Sequence, residues 1–513
     1  MSEIEKDFFS LINNNDLLGI LSLGNIGIEK ESLRVTKTSI AQSPHFKSLG
    51  SALCNKYITT DFSEALLELI TPPLTNNKDA ISFLDDLHHF IHKNIKEELL
   101  WPYSMPPFFQ DNSHIPIAYY GSSNSAKFKM TYRKGLSHRY GRGMQAIAGI
   151  HFNYSFSEKF WPLFFSNSTI KDNISNRNDI YFRTIRNIHR FNWLILYLFG
   201  SSPIVSENFK KETSNTSIKY KDCYFFPEST SMRMSDMGYQ NYYQKDLLVS
   251  LNSLSEYLDD LKSATRTISK NFFLPRKFID GLETQLNNNL LQIEDEYYAN
   301  SRPKTSDDSE QRLIKKLRDN GVNYIELRSL DLDPMENTGI NLETIYFLEA
   351  FVIYCTLKSS RFIGNSEYEE CKRNELLVSH SGRKKDLSLS KNGENILLKD
   401  WAFIILEEMK PILELLGCPS NNLDSYYSMI TNEEQTKSAI FLNNFLDSNL
   451  TFHEYISSLA INNKKEYVSR AKQMNNIWDL IQGEINNSSR QQNAIEAEDQ
   501  QNFQTYLSNY FQS

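Results

Sequence analysis

Apolar residues recur at helical spacing over residues 78–99, where Ile81, Leu84, Leu87, Ile91 and Ile95 share a face. That period predicts an amphipathic helix, ended by Trp101–Pro102. A second helix is predicted over about 176–199, with Ile180, Ile185, Ile188, Phe191, Leu194 and Ile195 on its apolar side. Three other stretches alternate with a period of two and read as strands: Gly27–Val35, Gln145–Tyr154 and Val322–Leu330. A short helical lead-in covers 3–22, and a polar loop, Asn300–Gln311, precedes the third strand. Beyond about 340 the pattern is mainly helical. Residues 484–502, rich in Asn, Gln, Ser and Glu, read as a surface helix or a frayed tail. Strands and helices do not alternate as βαβ units would, so the expected class is α+β with an antiparallel sheet.

The strand faces carry the chemistry. In the first, Glu29 and Glu31 lie with Leu33 and Val35, opposite Ile28 and Lys30. Two carboxylates on one face repel unless a positive group lies between them; an exposed strand beside Lys30 and Arg34 is the plainer alternative. In the third, Tyr324, Glu326 and Arg328 share the face opposite Ile325 and Leu327. That pair is either a simple salt bridge or the carboxylate and guanidinium fork of a phosphate site. In the second, Gln145, Ile147, His151 and Asn153 oppose Ala146, Ile150, Phe152 and Tyr154. A lone strand histidine is more often a hydrogen-bonded core residue than a ligand. His88, His89 and His92 fall on the first helix without an HExxH pattern and read as surface residues.

Thr59–Pro73 fits a helix or a strand. A continuous strand would put Asp61 and Glu68 about 23 Å apart at ~3.3 Å per residue. A helix, or a turn at Phe62–Glu64, brings them much closer. Asp61 as a helix N-cap with Glu64 completing a capping box is the structural alternative.

Composition narrows the function. The 513 residues hold 63 acidic and 55 basic groups, a net charge of −8, which argues against nonspecific nucleic-acid binding. The five cysteines have no CxxC spacing, which disfavours a structural zinc site. The N-terminus lacks a basic region followed by an apolar one, and the most apolar run, Trp193–Phe199, is far shorter than a membrane span. A cytoplasmic protein is expected. Five carboxylates gathered with one imidazole could not all stay ionised without cations. Hard oxygen ligands favour Mg²⁺ or Mn²⁺, which commonly share their shell with phosphate oxygens and so imply a nucleotide. No GxxxxGK[ST] loop and no kinase HRD or DFG set is present, leaving metals and Arg to make the phosphate site.

Several segments resemble the bacterial glutamate–cysteine ligase family of the proteobacterial type. They are Gly27–Val35, Ile58–Phe62 continuing to Thr71–Pro72, Trp101–Pro106, Tyr120–Asn124, Met144–Asn153, Ser231–Tyr239, Leu291–Glu294 to Pro303, and Tyr324–Pro334. They run in order over roughly residues 20–350, and the region beyond matches less clearly. The resemblance implies a glutamine synthetase-like fold, a curved antiparallel sheet forming a funnel with helices packed outside. It implies a single catalytic domain over 1–513, with the site residues in 1–350 and a mainly helical part in 351–513.

The resemblance also implies that Glu29, Glu31, Asp61, Glu68, His151 and Glu326 hold the metals, with Arg328 and Glu326 as catalytic residues and Arg328 on the transferring phosphate. Phe62, Tyr132, Gln145, Ile147, Arg233, Tyr239 and Tyr298 would form the cysteine pocket, with Asn153 in the substrate-binding set. The implied cofactor is Mg²⁺ or Mn²⁺, with ATP as co-substrate. The implied partners are L-glutamate, L-cysteine and ATP, with no nucleic acid or membrane, acting on a monomer. The implied chemistry is a γ-glutamyl phosphate formed from ATP and captured by the cysteine amine, under a lid for which Asn300–Gln311 is the compositional candidate. The sequence departs from the family pattern in the Met residues flanking Arg233 and in Asn300 and Ser301 before Arg302–Pro303. A ligase for another amine, a metal-dependent phosphohydrolase and a silent binding protein are the competing readings.

Overall fold

The structure, a computed structural model, describes residues 19–166, 170–209, 216–238, 244, 247–272, 278–279, 282–471 and 476–512. Most of the predicted lead-in and all of Tyr239 lie outside them; residues 19–21 are helical. Among the described residues the main sheet has seven strands: β1 (Asn25–Val35), β2 (Ile58–Thr60), β3 (Leu66–Ile70), β4 (Leu99–Leu100), β5 (Ile150–Ser155), β6 (Ser301–Lys304) and β7 (Tyr324–Leu330). The order is β6–β7–β5–β1–β3–β2, with β4 on the end of β1, and every pair is antiparallel. β1 is central, paired with β5 on one edge and β3 on the other: Ile28 is buried opposite Phe152 on β5, and Leu33 opposite Leu66 on β3.

The helices over this sheet include α1 (Asn77–Asn94), α2 (Asn124–Tyr140), α3 (Arg142–Gln145), α4 (Ile174–Phe199), α5 (Leu342–Leu357) and α6 (Asn365–Ser381). Towards the C-terminal end lie the helices α7 (Phe452–Ser469), α8 (Asn476–Glu498) and α9 (Phe503–Gln512). α4 matches the expected helix closely and packs against α5, α6 and β7.

Several expectations change. α1 ends at Asn94 rather than 99: Lys96 takes a positive φ of 49°, and the chain turns to lay Leu99–Leu100 against Arg34–Val35. His88, His89 and His92 are buried, not on the surface, because α7 and α8 return over the polar side of α1. Tyr467 stacks on His92 at 5.0 Å, and Trp478 meets His89 edge-on at 4.9 Å.

The second strand starts at Ile150. Gln145 instead closes the helical turn α3, where the N–H of Ala146 donates to the carbonyl of Arg142. The polar loop at 300–311 contains β6, whose Arg302 sits opposite Glu326. Pro303 is tolerated there because β6 is an edge strand. Residues 484–498 belong to α8, seated on α1 with Ile485 and Ser488 buried. Thr59–Pro73 is two strands joined by a turn at 61–65, so neither the continuous strand nor the helix cap for Asp61 occurs.

Candidate active site

Sheet register assembles the acidic group. Glu29 lies opposite His151 across β1 and β5, and Glu31 lies opposite Glu68 across β1 and β3. Glu326 on β7 lies opposite Asn153 on β5, which completes a row across four strands. The turn after β2 brings in Asp61. Its N–H donates to the carbonyl of Leu66, while Tyr120 Oη and Arg133 Nε donate to its carbonyl. The hydroxyl of Ser63 and the N–H of Glu64 both donate to the Pro116 carbonyl, pinning the same turn.

These groups line a cavity of about 260 Å³ with Phe62, Tyr132, Gln145, Ile147, Tyr298 and Arg328. His151 is its hub: Nδ1 is 3.0 Å from Glu29 Oε2 and 3.4 Å from Glu326 Oε1, and Nε2 is 3.8 Å from Glu31 Oε1. Arg328 Nη1 donates to Glu326 Oε1 at 2.7 Å, and Lys304 Nζ is 3.6 Å from Glu326 Oε2. Asn153 donates to Glu29 Oε1 at 2.9 Å, and Gly149 N–H donates to Glu31 Oε2 at 2.7 Å.

The electrostatics divide the site. Burial would raise Glu29, but the His151 hydrogen bond and the charge of Lys304 bring it below the usual carboxylate range despite the nearby Glu326. Burial also works against ionised Glu326, yet Arg328, Lys304 and His151 hold it far below that range. Glu31 is raised, by burial first and then by Asp61, against the pull of His151. Glu68 is raised well above its ordinary value by burial and by the charges of Glu29, Asp61, Glu31 and Glu326.

Two sets of ligand atoms could each hold a cation: Glu29 with His151 and Glu326, and Glu31 with Glu68 and His151. Within each set the atoms lie within 4.8 Å of one another. All-oxygen and imidazole donors with unbalanced negative charge fit a hard divalent ion. Asp61 lines the same cavity and acts electrostatically on Glu31 and Glu68, without joining either set.

The other expected residues divide. Gln145 Nε2 donates to Tyr298 Oη, joining two walls of the cavity. Asn153 lies at the boundary with an adjoining groove of about 1320 Å³, which it lines with Glu29, Phe156 and Tyr324. Arg233 is buried behind the cavity, its Nη2 donating to the Arg328 carbonyl at 2.9 Å. It occupies the space beside Gly149, where a Cβ would fall 2.0 Å from Nη2.

Sequence reading missed Arg133, Arg302 and Lys304, all cavity-lining cations. Arg302 and Lys304 alternate across Pro303, a strand signal hidden inside a polar stretch. Arg133 follows Tyr132 on α2 and carries no signal of its own.

A family profile described as glutamate-cysteine ligase matches residues 9–378. The chain belongs to the glutamate–cysteine ligase family. It is 39% identical to a glutamate–cysteine ligase of Alcanivorax borkumensis over all of both chains. It is 42% identical to one of Pseudomonas savastanoi pv. phaseolicola, covering 81% of this chain and 79% of the relative. Its structure is similar to that of the Francisella tularensis glutamate–cysteine ligase in complex with AMP. That match has a TM-score of 0.89 and 32% identity, and covers 95% of this chain and 97% of the other. A bifunctional glutathione synthetase of Pasteurella multocida shares the fold at a TM-score of 0.72 and 24% identity, over 90% of this chain and 55% of that one. The architecture is therefore the α+β, glutamine synthetase-like one that the resemblance implied, with an open antiparallel sheet and helices outside.

Proposed function

We propose that the acidic cavity is where ATP activates the γ-carboxylate of L-glutamate and where the amine of L-cysteine captures the acyl group. The chain is an ATP-dependent glutamate–cysteine ligase, giving γ-L-glutamyl-L-cysteine, ADP and phosphate in the first step of glutathione biosynthesis. The observation that carries the placement is the convergence of Glu29, Glu31, Asp61, Glu68 and Glu326 with Arg328 and Lys304 on one cavity.

Mg²⁺ or Mn²⁺ would be held by Glu29, His151 and Glu326 and by Glu31, Glu68 and His151, with Asp61 beside them. Bound there, the cations would neutralise phosphate oxygens as charge shifts between them. Arg328 would meet the transferring phosphoryl group, with Glu326 fixing its guanidinium. No protein nucleophile is required: the glutamate carboxylate attacks the γ-phosphorus, ADP leaves, and the cysteine nitrogen then attacks the acyl carbon as phosphate departs.

Phe62, Tyr132, Gln145, Ile147 and Tyr298 would hold cysteine in a wall that keeps water from the acyl phosphate. Tyr239 and Arg233 are assigned to that pocket on the resemblance, and Arg233 would have to turn from the Arg328 carbonyl to reach a substrate. The adjoining groove, which shares Glu29 with the cavity, is large enough for the nucleoside. The whole chain is read as one catalytic domain acting as a cytoplasmic monomer. No helix among the described residues is long and apolar enough to cross a membrane.

The test is ADP release with Mg²⁺, glutamate and a panel of amines. Turnover that depends on the amine and prefers cysteine supports the reading. Equal turnover without an amine, or with any amine, overturns it.

A further inference from the structure

Two segments outside the sheet contribute to the cavity wall assigned to cysteine. α2 supplies Tyr132 and Arg133, and residues 283–298 supply Asp295, Glu296 and Tyr298. The two meet directly: Arg139 on α2 pairs with Glu296 at 3.0 Å, and Gln292 Nε2 donates to the Tyr132 carbonyl at 3.2 Å. Gly135 permits the approach, since a Cβ there would fall 2.0 Å from Gln292 Oε1.

A third segment spans both parts from outside. Asp499, just beyond α8, accepts from the backbone N–H of Asn124, the first residue of α2. It also accepts from Asn124 Nδ2 at 2.7 Å, and the same Nδ2 donates to the Gln501 carbonyl at 2.7 Å. α9 then lies along α2 and the neighbouring segment. Leu507 is buried with Leu286 and Ile293, and Tyr132 packs against the same apolar group. Tyr510 packs at a tilt on Phe128 of α2, with ring centroids 4.5 Å apart. Phe511 lies under Arg312, which is itself ion-paired to Glu294. Residues 499–512 therefore touch the start and middle of α2 and the segment that carries Tyr298. Residues 499–512 lie beyond the 9–378 matched by the family profile.

We propose that Asp499 and Leu507 are positioning residues for the amine substrate: together they clamp α2 to residues 283–298 and set the spacing of Tyr132 and Tyr298 across the cysteine pocket. The proposal rests on the placement of cysteine at that wall. Most of the phosphate and metal groups sit on β1, β3, β5 and β7, while α9 packs chiefly on α2 among the described residues. Loosening it should act on the amine and spare the nucleotide.

The experiment compares Asp499→Ala, Leu507→Ala and Leu507→Met in the full chain. The expected result is a rise of about tenfold in KM for cysteine, with KM for ATP changed less than about twofold, as a displacement near 1 Å can cost this much. Leu507→Met, which refills the volume, restores KM. Amide exchange in residues 124–140 should quicken in the two alanine variants. If Leu507→Ala does not fold, Asp499→Ala, at the surface end of the clamp, carries the test.

Unchanged exchange at 124–140, or KM for cysteine and ATP rising together, overturns the clamp. Tyr298→Phe separates the two ideas. If it leaves KM for cysteine unaltered, the placement of cysteine is wrong, and the clamp is then judged on exchange alone. If it raises KM for cysteine and the clamp variants do not, the clamp is wrong.

Discussion

Replacing Glu349 with Gln should make the protein more heat-stable at pH 8 and leave it nearly unchanged at pH 5. Glu349 sits on α5, 3% exposed, and its Oε2 accepts a hydrogen bond from Asn77 Nδ2 at 2.7 Å. Burial pushes its carboxyl from 4.5 up to about 7, the bond from Asn77 opposing only part of that rise. The unfolded chain therefore loses this proton near 4.5, while the folded chain keeps it until about 7. Between those values the folded state binds more protons, so stability falls as pH rises and levels off above about 7. The rise of about 2.5 in pKa, at 1.36 kcal/mol each, amounts to about 3 kcal/mol. An unfolding entropy of ~2.1 cal/mol/K per residue over 513 residues is about 1.1 kcal/mol/K, so this converts to about 3 °C in Tm. Gln has nearly the same shape, keeps an acceptor for Asn77 and cannot ionise. Scanning calorimetry from pH 5 to pH 8 should find the two curves together at the acid end and about 3 °C apart at the alkaline end. Glu375 is also pushed up to about 7, so the variant should keep a residual slope. Parallel curves across the whole range would refute the argument.

The site makes further expectations. Glu326→Gln removes the partner of Arg328 and a group in contact range of His151 and Lys304, so ADP release should fall at least about 10³-fold while the far-ultraviolet circular dichroism is unchanged. Arg328→Lys keeps the charge but loses the planar fork, and kcat should fall roughly 10²-fold with little change in KM for ATP. Glu31 and Glu68 are both raised, so a divalent ion must displace protons to bind between them. Apparent Mg²⁺ affinity should therefore strengthen as pH rises, with proton release measurable by calorimetry in two buffers, and Glu68→Gln should reduce it.

What could be read in advance was whatever depends on neighbours in sequence. The period of two along Gly27–Val35 is local, and it put Glu29 and Glu31 on one face as the sheet does. The same held for Glu326 and Arg328 on β7. The turn at Phe62–Glu64 was legible as one of several options, and what selects it is remote: the Pro116 carbonyl, Tyr120 and Arg133. The histidines of α1 were misplaced because the helices that bury them begin more than 350 residues later. β6 was missed because an edge strand needs hydrogen bonds along one side alone, so its sequence can stay as polar as a loop. Gln145 reached the cavity by another route than the one its alternation suggested, through a helical turn and a bond to Tyr298.

The site is not uniformly acidic, and the asymmetry has a structural origin. On the β5–β7 side of His151, Glu326 meets cations that are covalently part of the chain, Arg328 on β7 and Lys304 on β6, while Glu29 is hydrogen-bonded to His151 itself. Both carboxyls are accordingly held below the usual range. On the β1–β3 side, Glu31 and Glu68 face each other across the register with Asp61 nearby, and both are raised. Like charges this close cannot both stay ionised, so the folded chain relieves the repulsion by retaining protons there. Antiparallel register prevents Glu31 and Glu68 from separating without breaking β1 from β3. The fold thus holds a proton-retaining pair in place on one side and a charge-balanced group on the other. A dissociable cation has most to gain at Glu31 and Glu68, which ties completion of the site to the arrival of the ion rather than to folding.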